Sequence, residues 1–343
     1  MKFRTWLNVI TVFLLALVVF FGWKEIVRAW GVMGDANLFI LAIMVPIQIF
    51  SYYAVGEIIF SYLRSRGNLK DTSRWQMARM ALELNFVNHI LPSGGAAGFS
   101  YLGWVLSRHG VSAGRATMAQ IVRFSLSFVS FVVMLVLAVL FLFFDQKINK
   151  FIVIISAVLV VAVIIGIILM IYIIGNRGRL TKFAGWLTNT VNRVVFKFTR
   201  GKKRQVMKLE VIENFFGELH QDYLEIRREK KILIKPLLWA ILVHVLDVGL
   251  VLIAFLALGS WVNPATLFIA FGLSSIVSVF SGTLGGTGVY EAVMVAFLAS
   301  AGIAPDVAIA GTLLARALLL VGTILFGFVF YQLTLNKYGK AKN

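Results

Sequence analysis

PSGGAAG at residues 92–98 and SGTLGGTG at residues 281–288 interrupt two apolar stretches, one in each half of the chain. On either side of each interruption lies an apolar run that is too short to cross a bilayer by itself. A short polar turn and a full-length apolar run follow each pair of short runs. Broken helices at matching places in two halves are a sequence pattern typical of transporter binding sites. The two stretches therefore predict two re-entrant helical hairpins, with half-helices at about 75–91, 96–109, 264–281 and 288–301.

The remaining apolar sequence predicts an all-α integral membrane protein. Sixty per cent of the residues are hydrophobic and the mean hydropathy is +0.89, well above a soluble domain. Several apolar runs reach the roughly 20 residues that a helix needs to span hydrocarbon. We therefore expect a single transmembrane domain over residues 1–343, with six full spans in addition to the two hairpins. These spans are predicted at about 5–27, 37–63, 115–144, 151–175, 236–258 and 307–333.

The distribution of charge predicts the orientation of these spans. The chain carries a net charge of +18, and its cations flank the apolar runs instead of forming a soluble basic face. Residues 176–235 alone hold fifteen Lys and Arg against six Asp and Glu. The positive-inside rule then places both termini and 176–235 in the cytosol of a cytoplasmic (inner) membrane. The same reasoning excludes nucleic acid as the partner that the basic charge would otherwise indicate.

This orientation makes the two halves inverted repeats, residues 37–144 and 236–335. Span, hairpin and span run in opposite directions through the membrane in the two halves. Local sequence agrees, because GVSA at 110–113 precedes the third span and GIAP at 302–305 precedes the sixth. Inverted repeats provide the two near-equivalent conformations that alternating access requires. Chance similarity between glycine-rich apolar segments is the competing explanation.

The cytosolic insertion at 176–235 predicts two amphipathic helices. Apolar residues share one face between 183 and 198, and a 3-4 apolar spacing continues from 206 to 226. A helical hairpin lying on the membrane surface is the first interpretation. A docking surface for a lipid-modifying enzyme is the second.

The hairpin breaks predict an anion site. A helix that begins inside the membrane points free N–H groups and its positive end at the midplane, and glycine lets a ligand approach the backbone. Such an end suits a lipid phosphate. The predicted substrate-binding residues lie at the breaks or on the spans that follow: Asn88, Pro92, Gly94, Gly95, Arg123, Gly285, Gly286, Gly288, Glu291 and Arg316.

Ionisable residues inside the membrane are costly and are usually paired or functional. A Glu291–Arg316 contact would neutralise both charges, and either Glu57 or Glu83 would do the same for Arg123. A static buried pair and a phosphate-binding arginine are both compatible with this pattern. The candidate proton carriers are the other ionisable residues that lie within the apolar runs: Glu57, Glu83, His89, His244 and Asp247. His244 and Asp247 are three residues apart, so they could also simply satisfy each other.

The sequence lacks the common motifs of enzyme active sites. The chain has no cysteine, so disulfides, thiolate catalysis and cysteine metal sites are excluded. It has neither a P-loop motif nor an H-E-x-x-H motif. We therefore expect no metal, no cofactor and no catalytic residues.

The residues around the breaks resemble the lysylphosphatidylglycerol synthase transmembrane family, also called flippase-like membrane proteins. The similarity lies in NFVNHILP at 85–92, in GGTGVYE at 285–291 and in LAR at 314–316. This family includes the flippase half of the multiple peptide resistance factors, which expose aminoacylated phosphatidylglycerol on the outer leaflet and reduce attack by antimicrobial peptides. Other relatives are thought to move polyprenyl-linked or glycosylated lipids. The resemblance therefore implies lipid translocation.

The resulting hypothesis is a flippase for an anionic or aminoacylated phospholipid, or for a polyprenyl-phosphate-linked lipid. An ion-coupled small-solute transporter and a membrane subunit of a phosphatidylglycerol lysyltransferase-type enzyme are the alternatives. Because the sequence contains no soluble aminoacyl-transferase domain, we do not expect lipid synthesis by this chain. The sequence leaves the headgroup, the direction of transport, the coupling ion and the oligomeric state open.

Overall fold

A computed structural model of the protein describes residues 36–90, 96–144, 150–198, 209–280, 286 and 288–338, together with Val27, Gly31 and Gly34. The regular elements within these ranges are all helices, as expected for an all-α protein. The predicted first span at 5–27 lies almost entirely outside the described residues.

Twelve α-helices and one short 3₁₀ helix make up the described chain. The first half of the chain contributes α1 (Leu38–Ala42), α2 (Met44–Ser65), α3 (Arg74–Ile90), α4 (Ala96–Ser107) and α5 (Ala113–Phe144). The middle contributes α6 (Lys150–Ile174), α7 (Arg177–Phe198), α8 (Leu209–Arg228) and the 3₁₀ helix Lys230–Leu233. The second half contributes α9 (Ile234–Ala257), α10 (Pro264–Phe280), α11 (Val289–Ser300) and α12 (Pro305–Tyr338).

Four stretches of the described chain are long and apolar enough to cross a membrane: Leu38–Ser65, Ala113–Phe144, Lys230–Ala257 and Pro305–Leu335. The described end of α6 and the start of α7 make a fifth if they are counted together, although they are bent by 97° relative to each other. The protein is therefore a multi-pass membrane protein with four or five candidate spans in its described part. The six predicted spans are only partly recovered, since the first lies almost entirely outside the described residues and α6 counts as a span only together with the start of α7.

Helix lengths repeat between the two halves. In chain order, α2 to α5 contain 22, 17, 12 and 32 residues, and α9 to α12 contain 24, 17, 12 and 34 residues. The short helices flank the two glycine-rich breaks. Their bounds lie within two residues of those predicted for the half-helices, because a glycine-rich break and a polar turn limit each one.

The turns between these helices also repeat. Gly67 and Gly259 follow α2 and α9 with φ of 75° and 70°. In both turns the next amide donates across the glycine, from Asn68 N to Leu63 O and from Ser260 N to Phe255 O, each at 3.0 Å. Gly110 and Gly302 close α4 and α11 in the same way. Only glycine adopts such positive φ without strain, so the two halves end corresponding helices by the same chemistry.

The two halves pack into each other. Helices α2 and α9 lie side by side, α12 packs along α3, and α5 packs along α10. Glycines allow the close approaches, because a Cβ at Gly327 would overlap Phe86 and a Cβ at Gly272 would overlap the Phe131 ring. The long helices α12 and α5 thus each contact the first half-helix of the opposite half, α3 and α10.

The insertion forms the predicted pair of helices, α7 and α8, which pack against each other. Polar contacts fasten α8 to the helical body. Arg115 on α5 pairs with Asp222 at 3.4 Å, and Arg66 pairs with Glu225 at 3.0 Å. His220 Nδ1 donates to the carbonyl of Ile174 at 2.9 Å. The insertion is therefore held at the ends of α2, α5 and α6.

Candidate functional site

The two short helices of each hairpin meet beside the break. In the first hairpin a Cβ at Gly98 would overlap the carboxamide of Asn88, and in the second a Cβ at Gly286 would meet Cβ of Ser278. Within the described residues, the buried Asn88 Oδ1 atom has no hydrogen-bond partner. The glycines therefore let α3 approach α4, and α10 approach α11, at the point where the chain is interrupted.

Part of the predicted site falls outside the described residues. Residues 91–95, 281–285 and 287 are not described, so the predictions for Pro92, Gly94, Gly95 and Gly285 are not addressed by the structure. His89 belongs to α3, and its side chain is likewise outside the description.

The second break carries a compact charged cluster. Glu291 is the third residue of α11, and its Oε2 accepts a hydrogen bond from the backbone N–H of Gly288 at 2.7 Å. Its Oε1 accepts from Nε of Arg316 on α12 at 2.9 Å. The Arg316 guanidinium also lies over the Tyr290 ring, 4.4 Å from its centroid. The predicted Glu291–Arg316 contact is therefore present, and one carboxylate joins it to the start of α11.

This cluster shows what an anion would meet at the start of α11. The positive end of this helix is part of the predicted anion site, and Glu291 already places a carboxylate against it. A carboxylate three residues into a helix caps it and favours the N-terminal dipole, which is why this position attracts glutamate. An incoming anion at this end would have to compete with Glu291.

Arg123 on α5 has no carboxylate partner among the residues that the structure describes. Its side chain is half-buried and its guanidinium lies over the ring of Phe124 at 5.0 Å. The prediction that Glu57 or Glu83 pairs with Arg123 is wrong. Both carboxylates find partners elsewhere.

Glu57 and Glu83 are buried in the first half. Glu57 pairs with Arg64 further along α2 and accepts from the Tyr53 hydroxyl at 3.0 Å. Glu83 accepts from Tyr101 and Thr334 at 2.7 Å each, and Arg79 lies 3.8 Å from it. Cations and hydroxyls on the same or neighbouring helices are closer than Arg123, and they satisfy both carboxylates.

His244 and Asp247 on α9 lie in a different contact network. Asp247 Oδ1 accepts a hydrogen bond from the Ser51 hydroxyl on α2 at 2.8 Å. His244 Nε2 donates to the carbonyl of Ser127 on α5 at 3.0 Å, while its Nδ1 is buried with no hydrogen-bond partner among the described residues. The two side chains therefore each bind a different helix instead of forming a hydrogen bond with each other.

A third polar network was not predicted. Gln48 on α2 donates to the carbonyl of Leu319 on α12 at 2.7 Å and to the Tyr52 hydroxyl at 2.6 Å. The Tyr52 and Thr323 hydroxyls form a short hydrogen bond. Gly322 makes room for Gln48, since a Cβ there would overlap the carboxamide. The spacing of Gln48 and Tyr52, four residues apart in an apolar run, indicates a polar contact on one face of α2 but does not identify α12 as the partner.

Electrostatics outside the spans centre on Asp222. Burial raises the pKa of the Asp222 carboxyl above its ordinary value of 3.8, and Arg115 opposes that rise. Among the described residues, no group of three or more His, Asp and Glu is arranged to hold a metal ion.

Comparisons with known proteins agree with the fold. A sequence family described as the lysylphosphatidylglycerol synthase TM region matches residues 6–327. A UPF0104 membrane protein from Methanothermobacter thermautotrophicus is 21% identical over 247 residues, which cover 72% of this chain and 71% of that protein. No solved structure matches the chain.

Proposed function

Because the chain belongs to the lysylphosphatidylglycerol synthase transmembrane family, we propose that it is a flippase of the cytoplasmic membrane. Its cargo would be an anionic or aminoacylated phospholipid, or a polyprenyl-phosphate-linked lipid. Both termini and the α7–α8 insertion would face the cytosol, as the distribution of cations indicates.

The Arg316–Glu291 pair beside the second break is the observation that carries this proposal. An ion pair at such a position is expensive in hydrocarbon and is retained where it serves a function. A phosphate can replace Glu291 as the partner of Arg316, because guanidinium binds phosphate through parallel charge-assisted hydrogen bonds. Glu291 would then return to Arg316 and release the headgroup. A cation that alternates between two anionic partners binds its cargo reversibly.

Arg123 supplies the second proposed phosphate contact. It lies on α5, which packs along α10 of the opposite hairpin, and no described carboxylate neutralises it. An unneutralised guanidinium within a span favours an anionic ligand. Lipid phosphate is an anion that can enter sideways from the bilayer.

The repeated helix lengths and turns support the proposed inverted repeats, 37–144 and 236–335. Two similar halves can exchange conformations, so that each hairpin in turn opens its break to one leaflet. The hairpins would be re-entrant, with the breaks near mid-membrane.

Reconstituted vesicles test the proposal. Proteoliposomes would carry phosphatidylglycerol with a fluorescent acyl chain, and dithionite would quench the label in the outer leaflet. We expect wild type to increase the quenched fraction with time, and Arg316→Ala with Glu291→Ala to slow that process at least tenfold.

The matched control removes an ion pair at the insertion instead. Arg66→Ala with Glu225→Ala deletes one cation and one carboxylate outside the break, and we expect less than a twofold change in rate. Equal rates in wild type and in the Arg316 and Glu291 double variant would refute the proposed site. Mass spectrometry of lipid co-purified with wild type would then identify the cargo.

A further inference from the structure

We propose that His244 and Asp247 together form a proton-binding site that drives the exchange between the two conformations. The site itself is inferred from the hydrogen bonds and ring contacts of the two side chains. Its coupling to transport rests on the flippase proposal above.

The position of the one ring hydrogen on His244 follows from its contacts. Nε2 lies 3.0 Å from a backbone carbonyl, which can only accept, so Nε2 carries the hydrogen. Nδ1 then carries a lone pair, and it is buried with no hydrogen-bond partner in the part of the chain that the structure describes. Phe131 and Phe268 stand edge-on to the ring, with centroids 5.9 and 6.0 Å away. A basic nitrogen in an apolar, aromatic enclosure is a place where a proton can bind without disturbing an existing hydrogen bond.

The neighbouring carboxyl supplies the opposite charge. Asp247 lies one helical turn along α9, and the Ser51 hydroxyl is its hydrogen-bond donor within the described chain. No described Lys or Arg forms an ion pair with Asp247; His244 is the base whose charge acts on it. A carboxylate inside a membrane without a counter-ion is strongly disfavoured. Asp247 must therefore either hold a proton or face a protonated His244.

Counting protons shows that the pair acts as a unit. One proton makes the pair neutral overall, whether it sits on Asp247 or on Nδ1 of His244. Losing that proton leaves one buried negative charge, and gaining a second leaves one buried positive charge. The pair therefore holds one proton while it is dry, and it exchanges that proton when water reaches it.

The groups packed around the pair place it between the two halves. From α2 comes the Ser51 hydroxyl, which donates to Asp247; the ionisable hydroxyls in the surroundings are those of Tyr52 on α2 and Tyr290 on α11. The described contacts from α5 and α10 are a carbonyl and two phenyl rings, none of which ionises.

Helices α2 and α9 belong to different halves of the chain, so a change in the charge of Asp247 acts on the interface between the halves through its hydrogen bond with Ser51. This is the connection that a coupling site requires.

Nitrogen NMR of histidine measures the site directly, without any transport. The chain has only four histidines, so ¹⁵N-histidine labelling of the full chain in nanodiscs gives few signals, and His244→Gln identifies the relevant one. We expect the Nδ1 signal of His244 to change with pH between 5 and 9 in wild type. In Asp247→Asn, which keeps the shape but removes the carboxylate, that change should be absent from this range.

Ser51→Ala is the matched control. It removes the hydrogen bond to Asp247 but leaves both ionisable groups, so the pH-dependent change of His244 should persist. Identical pH dependence in wild type and Asp247→Asn, including none in both, would overturn the site. If Asp247→Asn does not fold, wild type and His244→Gln are compared for proton uptake by the purified protein, and equal uptake between pH 5 and 9 overturns the site.

Transport separates the two proposals. In the phosphatidylglycerol vesicles, an imposed pH difference should change the wild-type rate at least threefold and leave Asp247→Asn unaffected. An intact NMR transition without lipid movement in wild type would refute the flippase and retain the proton site. Lipid movement that ignores the pH difference in wild type would refute the coupling.

Discussion

Breaking the Glu291–Arg316 contact should destabilise the protein by an amount that the structure allows us to bound. The two side chains are 25% exposed for Arg316 and 12% exposed for Glu291. Removing one partner of a fully buried pair costs about 3–5 kcal/mol, and exposed pairs contribute about 0–1 kcal/mol. This pair lies between those limits, so we expect Arg316→Ala to lower the free energy of unfolding by about 2 kcal/mol.

Glu291→Ala should cost more than Arg316→Ala. It removes the ion pair and also the hydrogen bond from Gly288 N that caps α11. A lost helix cap adds about 1 kcal/mol, giving a total of about 3 kcal/mol. Glu291→Gln keeps an oxygen that can accept from Gly288 N, so its cost should fall between those of the two alanine variants.

A double-mutant cycle isolates the contact itself. Unfolding by SDS in mixed micelles can be followed by the intrinsic fluorescence of the eight tryptophans. We expect a coupling energy of about 1.5 kcal/mol between positions 291 and 316, the lower end for a hydrogen bond between charged groups. The Arg66–Glu225 pair, in which the Glu225 side chain is 46% exposed, is the control and should couple by less than about 0.5 kcal/mol. Equal coupling in the two pairs would refute the view that the second break is a low-dielectric site.

Three further predictions concern other parts of the molecule. Gly327→Ala should destabilise by about 1–3 kcal/mol in the same unfolding assay, because its Cβ overlaps Phe86, whereas Gly249→Ala, whose Cβ meets nothing within 4 Å, should not destabilise. Since burial raises the pKa of Asp222 in the folded state, the folded state binds the proton more tightly than the unfolded state. The free energy of unfolding should therefore fall as pH rises above 3.8. In Asp222→Asn this dependence should be weaker when unfolding is measured from pH 4 to 7. Trp186, which is 59% exposed on helix α7, a helix without Asp or Glu, should lie at the surface of an anionic membrane. The variant Trp186→Cys, labelled with an environment-sensitive dye in this otherwise cysteine-free chain, should emit at shorter wavelength in phosphatidylglycerol nanodiscs than in phosphatidylcholine nanodiscs. Equal emission in the two lipids would contradict this placement.

The sequence determines the helices well because local features limit them. Glycine-rich breaks and polar turns bound α3, α4, α10 and α11, and the 3-4 apolar pattern of the insertion predicts α7 and α8. The contact between Glu291 and Arg316 was also accessible, since a short turn joins α11 to α12 and the two residues lie at similar distances from that turn. Each of these inferences needs only neighbours along the chain or a single turn.

Contacts between distant helices could not be predicted in the same way. Glu83 is satisfied by Thr334, which is 251 residues away, and nothing in the local sequence of α3 indicates that α12 passes there. The same holds for Gln48 and the Leu319 carbonyl. From the sequence, Arg123 and a glutamate of the same half are plausible ion-pair partners, but in the fold other cations and hydroxyls are closer to Glu57 and Glu83. The carboxylate partner predicted for Arg123 is therefore bound to other residues in the fold.

The difference between the two halves has a consequence for the proposed transport. Arg316 is held by Glu291, whereas Arg123 has no carboxylate partner in the described chain. An anionic headgroup that reaches Arg123 forms a new ion pair. A headgroup that reaches Arg316 must first displace Glu291, so its binding free energy is smaller. Two otherwise similar halves would then bind the same lipid with different strengths. A proton bound at His244 and Asp247 would change the charge at the interface between the two halves. Asymmetric ligation makes the two binding strengths unequal, and a proton gradient acting through this pair would supply the free energy that gives the exchange between leaflets a preferred direction.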